Sequence, residues 1–124
     1  MTTTARRSGP QLPFSLPALA SLGARRRDAS PAALRRRVRG TVSLPGESGY
    51  EVASPWNLAA EVHPAAVVRV AGAGDVVEVV RFARRHGFTV AVQRTGHGGV
   101  SVGSRTLLVH TGALDAVTVD PALA

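Results

Sequence analysis

Residues 65–99 read AAVVRVAGAGDVVEVVRFARRHGFTVAVQRTGHGG, and the order of signals within them decides the architecture. Ala65 to Val70 is a short apolar run rich in β-branched residues, the pattern of a buried strand. Gly72-Ala73-Gly74 interrupts it. Asp75 stands where it can cap a helix, and Glu78, three residues on, matches the reciprocal half of a capping box. Val76, Val79/Val80 and Ala83 supply an apolar stripe at i, i+3/4 and i+7. Arg84, Arg85 and His86 crowd the last turn, where positive charge suits the helix dipole, and Gly87 ends it. Phe88 to Gln93 then alternates Phe88, Val90 and Val92 against Thr89, Ala91 and Gln93, which predicts a second strand. Strand, helix and strand in this order predict a βαβ unit.

Working outward, Thr95 to Gly103 is a glycine-rich loop, Leu107 to His110 a third strand and Val117 to Asp120 a fourth. Upstream, Ser30 as N-cap and Pro31 as first helical residue open a short helix over Ala32 to Arg39, ended by Gly40. Thr41 to Asn57 reads as loop, punctuated by Pro45-Gly46, Gly49 and Pro55. The expectation is a small α+β unit over residues 30–124, with a βαβ start followed by short strands. A disordered, Arg-rich arm precedes it over residues 1–29.

The charge distribution supports that division. The 124 residues carry a net charge of +7, yet residues 1–40 hold nine basic residues against one acid, and residues 41–124 hold six against seven. Basicity therefore belongs to the leader, and the rest of the chain is almost neutral. Every basic residue is Arg, which looks more like coding bias than a phosphate-binding surface. A small non-enzymatic protein whose basic arm binds nucleic acid is the alternative reading; the solvated arm is preferred. Arg6-Arg7 precede an apolar run from Leu12 to Leu22, but Pro10, Pro13 and Pro17 break it. The segment is read as a flexible extension of a cytoplasmic chain rather than an export signal. No apolar stretch is long enough to span a bilayer as a helix, so no membrane partner is expected. The absence of cysteine excludes disulfides, thiolate metal sites and cysteine nucleophiles.

Two loops could carry chemistry. Gly72-Ala73-Gly74-Asp75-Val76-Val77 lies between strand and helix, as a dinucleotide fingerprint requires, but Val77 replaces its third glycine. The acid expected about 20 residues later is replaced by Gln93 and Arg94, so a βα turn with a helix cap is the better reading. Gln93-Arg94-Thr95-Gly96-His97-Gly98-Gly99 is more pointed. Its glycines let backbone approach a ligand closely, and consecutive N–H groups can form a concave anion site. His97 sits in the middle as a neutral, nucleophilic imidazole. An ordinary glycine-rich connection with an exposed histidine fits the same residues. His63, His86 and His110 share no metal-like spacing, and Ser101 and Ser104 lack the setting of a nucleophile elbow.

Several segments together resemble the opening of berberine-bridge-type flavin oxidases. These are Pro45-Gly46-Glu47-Ser48-Gly49-Tyr50-Glu51, Trp56-Asn57, Pro64 to Val68, Asp75 to Gly87, Val90 to Gly98, Leu107 to His110, and Leu114 with Val117 to Asp120. The resemblance runs from about Gly40 to the C-terminus. It implies part of an FAD-binding domain of the vanillyl-alcohol oxidase type, with Arg94, Thr95, Gly96, His97, Gly98 and Gly99 at the cofactor. It further implies that the loop holds the FAD diphosphate through backbone N–H groups. His97 matches the histidine that is often bonded covalently to the flavin 8α-methyl carbon. Complete relatives would be oxidoreductases, taking hydride from an alcohol, amine or sugar. The sequence departs from the commoner loop at Gln93, Arg94 and Thr95, and His110 stands where an acid is usual. The second half of the FAD domain, the substrate domain and the catalytic residues have no counterpart in these 124 residues. The chain is thus expected to be an N-terminal fragment, a truncated reading frame or one piece of a split protein, inactive alone, the last of these with a complementing downstream polypeptide as partner.

Overall fold

Ala66-Val67-Val68 and Leu107-Leu108-Val109 are continuous apolar runs whose residues are all buried. They do not alternate because both faces of their strands are covered. The structure, a computed structural model, describes residues 29–123. Its strands are β1 (Thr41–Ser43), β2 (Ala66–Arg69), β3 (Thr89–Gln93) and β4 (Thr106–His110), and its α-helix, α1, spans Ala73–His86. They form a four-stranded sheet in the order β1-β2-β4-β3. β1 is antiparallel to β2, whereas β2, β4 and β3 run parallel, with Val67 opposite Leu108 and Leu108 opposite Ala91.

The two sheet faces have different covers. On one, Val79, Phe82 and Ala83 of α1 pack with Ala66, Val68, Leu107, Val109 and Leu34. On the other, Val67 and Leu108 lie under Ala53, with Tyr50, Val52 and Val62 around them. Full burial of a Leu, Val or Phe side chain is worth about 1.5–3 kcal/mol, so β4, apolar toward both sides, anchors the two layers. The edge strand β3 is less well covered, and Val92 is 69% exposed.

The βαβ start and the strands at β2, β3 and β4 follow the sequence expectation; four details differ. Thr41 to Asn57 is not all loop: it contains β1 and a 3-10 turn, Tyr50–Ala53. Three residues carry too little pattern to announce a strand, and β1 exists because β2 offers it an edge. The helix expected over Ala32 to Arg39 is a 3-10 helix, Pro31–Arg36, with Ser30 at its N-cap but making no side-chain cap bond. Val117 to Asp120 alternates as expected yet pairs with no strand and is exposed, because alternation alone supplies no partner strand. The expected arm over 1–29 lies outside the described residues except for Ala29. No helix among the described residues is long and apolar enough to cross a membrane.

The fourth difference is at Asp75. Gly72 is the N-cap of α1, and Asp75 lies within the first turn, 4% exposed. Its carboxylate accepts the backbone N–H groups of Arg39 (2.8 Å), Gly40 (2.9 Å) and Ala71 (2.8 Å). Glu78 does not complete a capping box; it pairs with Arg81 at 3.1 Å and Arg37 at 3.9 Å. Burial pushes the Asp75 pKa up, but the donors from Ala71, Arg39 and Gly40, with the Arg39 charge, outweigh it and hold the group below its ordinary 3.8. Gly40 has a second task. A Cβ there would lie 1.8 Å from the Arg69 carbonyl oxygen, so only glycine lets the chain pass against the end of β2.

Two outcomes follow. Gly40→Ala should cost about 3 kcal/mol or more, because the clash is with backbone rather than a movable side chain. Urea unfolding would measure it. Asp75→Ala should cost on the order of 1–3 kcal/mol by orphaning buried N–H groups. A carboxylate whose pKa is depressed by folding stabilises the native state above its unfolded value, and that contribution disappears as pH falls through the folded value. The stability gap between wild type and Asp75→Ala should therefore narrow as pH is lowered below about 4; urea titrations at several pH values would reveal it.

Candidate functional site

β3 and β4 run parallel, so their C-terminal ends, Gln93 and His110, lie side by side. The glycine-rich loop leaves from that end of β3, the end at which ligands bind in open parallel sheets. Residues 91–100 with Val102 and Leu108 line a cavity of about 180 Å³. That volume is smaller than a drug-sized pocket of roughly 300–1,000 Å³.

The loop is held by earlier segments of the chain. Gln93 donates its side-chain amide to the Val52 carbonyl at 2.9 Å, tying β3 to the 3-10 turn beneath the sheet. Gly96 is buried at φ +79°, and a Cβ there would come within 3.2 Å of Gln93 Nε2 and 3.4 Å of Trp56 Cδ1. A Cβ on Gly99 would come within 2.9 Å of Pro55. Farther on, Val102 bridges to Val62, with Val102 N–H donating to the Glu61 carbonyl and His63 N–H to the Val102 carbonyl. The wall of the site is thus the segment after the Tyr50–Ala53 turn.

Within that frame the six sequence-predicted residues divide. Gly99 N–H donates to the Gly96 carbonyl at 3.2 Å, closing a tight turn. The N–H groups of Gly96, His97 and Gly98 have no acceptor among the described residues, and a Cβ on Gly98 would meet open space. His97 is exposed; its Nδ1 lies 2.8 Å from Thr95 Oγ1, and its ring lies 4.7 Å from the Trp56 ring at an interplanar angle of 30°. Arg94 alone turns elsewhere, donating to the Leu114 carbonyl at 2.9 Å. His110, where an acid was expected, has its pKa lowered by burial and by the neighbouring charges of Arg69 and Arg94. Its Nδ1 accepts the Gly112 N–H at 3.3 Å.

Parallel strands, a crossover helix on one face and a glycine loop at their C-terminal end define the class. This is the fold of part of an FAD-binding domain of the vanillyl-alcohol oxidase type. The chain is similar to 6-hydroxy-D-nicotine oxidase from Arthrobacter nicotinovorans, with a TM-score of 0.61 and 26% identity over 68% of this chain and 19% of that one. It is similar to BBE-like 1 of Physcomitrella patens, with a TM-score of 0.62 and 20% identity over 74% and 21% of the two chains. A carbohydrate oxidase from Microdochium nivale gives a TM-score of 0.54 and 22% identity over 66% and 18%. The likeness to the last two is one of fold. No protein-family model matches the chain, and no curated protein does. The chain spans about one fifth of the length of the solved structures it matches.

Gln93 tests whether the wall holds the loop. Gln93→Leu keeps the bulk but leaves the half-buried Val52 carbonyl without its donor, at a cost of about 1–3 kcal/mol. Because the lost bond lies below the loop, Trp56 should become more mobile. Chemical denaturation and Trp56 fluorescence anisotropy would register the two effects.

Proposed function

We propose that this chain binds FAD as the N-terminal portion of a flavin-dependent oxidoreductase, with the diphosphate cradled by residues Arg94 to Gly99. The observation that carries this reading is the turn at Gly96–Gly99. Three N–H groups without acceptors among the described residues stand together there at the C-terminal end of a parallel strand. Such consecutive donors form a concave anion site, and side chains are absent where phosphate oxygens must approach. In this reading Arg94 adds long-range positive charge, and Thr95 and His97 border the cofactor.

When bound, FAD would supply a two-electron acceptor for hydride taken from an alcohol, amine or sugar substrate. The residues of this chain would bind and orient it, Gly96 and Gly98 by backbone donation and Gly99 by packing the loop on Pro55. His97 is the residue we assign to covalent attachment, since its ring is exposed at the cavity and the flanking glycines place no side chain over it. The base and the substrate-positioning groups would come from a complementing downstream polypeptide. Positioning alone is worth roughly 7–11 kcal/mol, so the 124-residue chain should show no oxidase turnover with added FAD.

The reading is tested in a chimera completed with the downstream sequence of a structural relative. The unmutated chimera should hold FAD, seen by visible absorbance, and carry it through acid precipitation as a mass adduct. His97→Ala should release the flavin on precipitation while keeping non-covalent binding. Gly96→Val should lose FAD altogether, because a β-branched residue is excluded from φ +79° and would push on Trp56 and Gln93. FAD binding to Gly96→Val at wild-type affinity would overturn the assignment of the loop. An unmutated chimera that binds FAD without an adduct would overturn only the covalent role of His97.

A further inference from the structure

Trp56 is the sole tryptophan of the chain and is 71% exposed, yet its indole lies against the His97 imidazole at a centroid distance of 4.7 Å. Burial does not account for a large apolar ring placed there, because most of its surface remains in water. The arrangement restrains the imidazole instead. The same imidazole is held at its edge, where Nδ1 meets Thr95 Oγ1 at 2.8 Å. One contact limits tilt and the other limits rotation about the ring normal. Among the described residues no group bonds Nε2. The loop thus offers a histidine with one nitrogen engaged, one free and its face covered.

We propose that Trp56 and Thr95 are positioning residues that present His97 to the bound cofactor through Nε2. Thr95 Oγ1 accepts the Nδ1 proton, so that the Nε2 lone pair is the one exposed. This rests on the FAD reading of the site for the identity of the ligand, but the ring's orientation and tautomer are properties of the chain alone. A free imidazole favours the proton on Nε2, which would present a donor to the cofactor instead of a lone pair. In this proposal the Thr95 hydroxyl, which can donate or accept, takes the accepting role toward Nδ1 and so leaves the lone pair on Nε2. Trp56 keeps the ring from turning away into solvent. The flanking Gly96 and Gly98 have no side chains that could do so.

The test uses the full chain without flavin, labelled with ¹⁵N-histidine and assigned with His97→Gln. Long-range ¹H–¹⁵N spectra above the imidazole titration range should show His97 mainly as the Nδ1–H tautomer. Thr95→Val should shift it to the Nε2–H form, and Thr95→Ser should restore the wild-type pattern. Trp56→Ala should broaden the ring signals, whereas Trp56→Phe should preserve them. Separately, the imidazole lies against the indole, so Trp56 emission should change in His97→Gln at constant pH. A wild-type His97 already in the Nε2–H form, or Trp56 emission left unchanged by His97→Gln, would overturn the proposal. The wild-type tautomer spectrum decides even if a variant fails to fold. FAD titration of the completed chimera separates the outcomes: binding can persist with the tautomer wrong, or fail with the tautomer right.

Discussion

One buried carboxylate ties three pieces of chain together through their backbone. Asp75 sits in the first turn of α1 and takes N–H groups from Arg39 and Gly40, before β1, and from Ala71, after β2. An ionised group in an interior is costly unless its lone pairs are used, and here both oxygens are used by backbone. The knot fixes where α1 begins relative to the sheet, and with it the side of the sheet on which Phe82 and Val79 are buried. It also holds Gly40 against the Arg69 carbonyl, so β1 joins the sheet in the register that pairs Val42 with Val68.

The glycine loop depends on that frame at one remove. With α1 on one face, the other face of β2 and β4 is free to take the turn at Tyr50–Ala53. Tyr50 is fastened there by its hydroxyl to the Pro64 carbonyl at 2.8 Å. Val52, Pro55 and Trp56 then fall beneath and beside the loop. A loop of small residues has little means of holding its own shape, since glycine backbone is entropically expensive to order. This one is shaped by contacts from a segment about 40 residues earlier, which explains how an anion cradle can stand open without side chains of its own.

The legible parts of the chain were those governed by local rules. The apolar runs at β2 and β4, the 3.6-residue stripe of α1 and the glycines of the loop each carry their signal within a few residues. Asp75 gave a true sign of a helix start but the wrong partners, because two of its donors lie 35 and 36 residues away. β1 was unreadable because its shape is lent by β2. Val117 to Asp120 misled for the converse reason: alternation reports a surface suited to a sheet, not the presence of one. At the site, the sequence marked His97 and its glycines. It could not mark Trp56 and Gln93 as their supports, since the bond from Gln93 spans 41 positions.

The strand order has a consequence for how the molecule comes into being. β2 and β3 are joined by α1, yet they are not neighbours; the slot between them is filled by β4, which is made last. A nascent chain that ends at Gln93 holds two strands separated by an unoccupied lane roughly 10 Å wide, twice the usual strand spacing, and neither can pair with the other. The helix can form early, but the sheet has to wait for Thr106–His110 to thread into the middle. Assembly is therefore governed by closure of a long loop rather than by local zipping, a topology that folds slowly. Until that insertion the inner edges of β2 and β3 are open templates for strands of other chains.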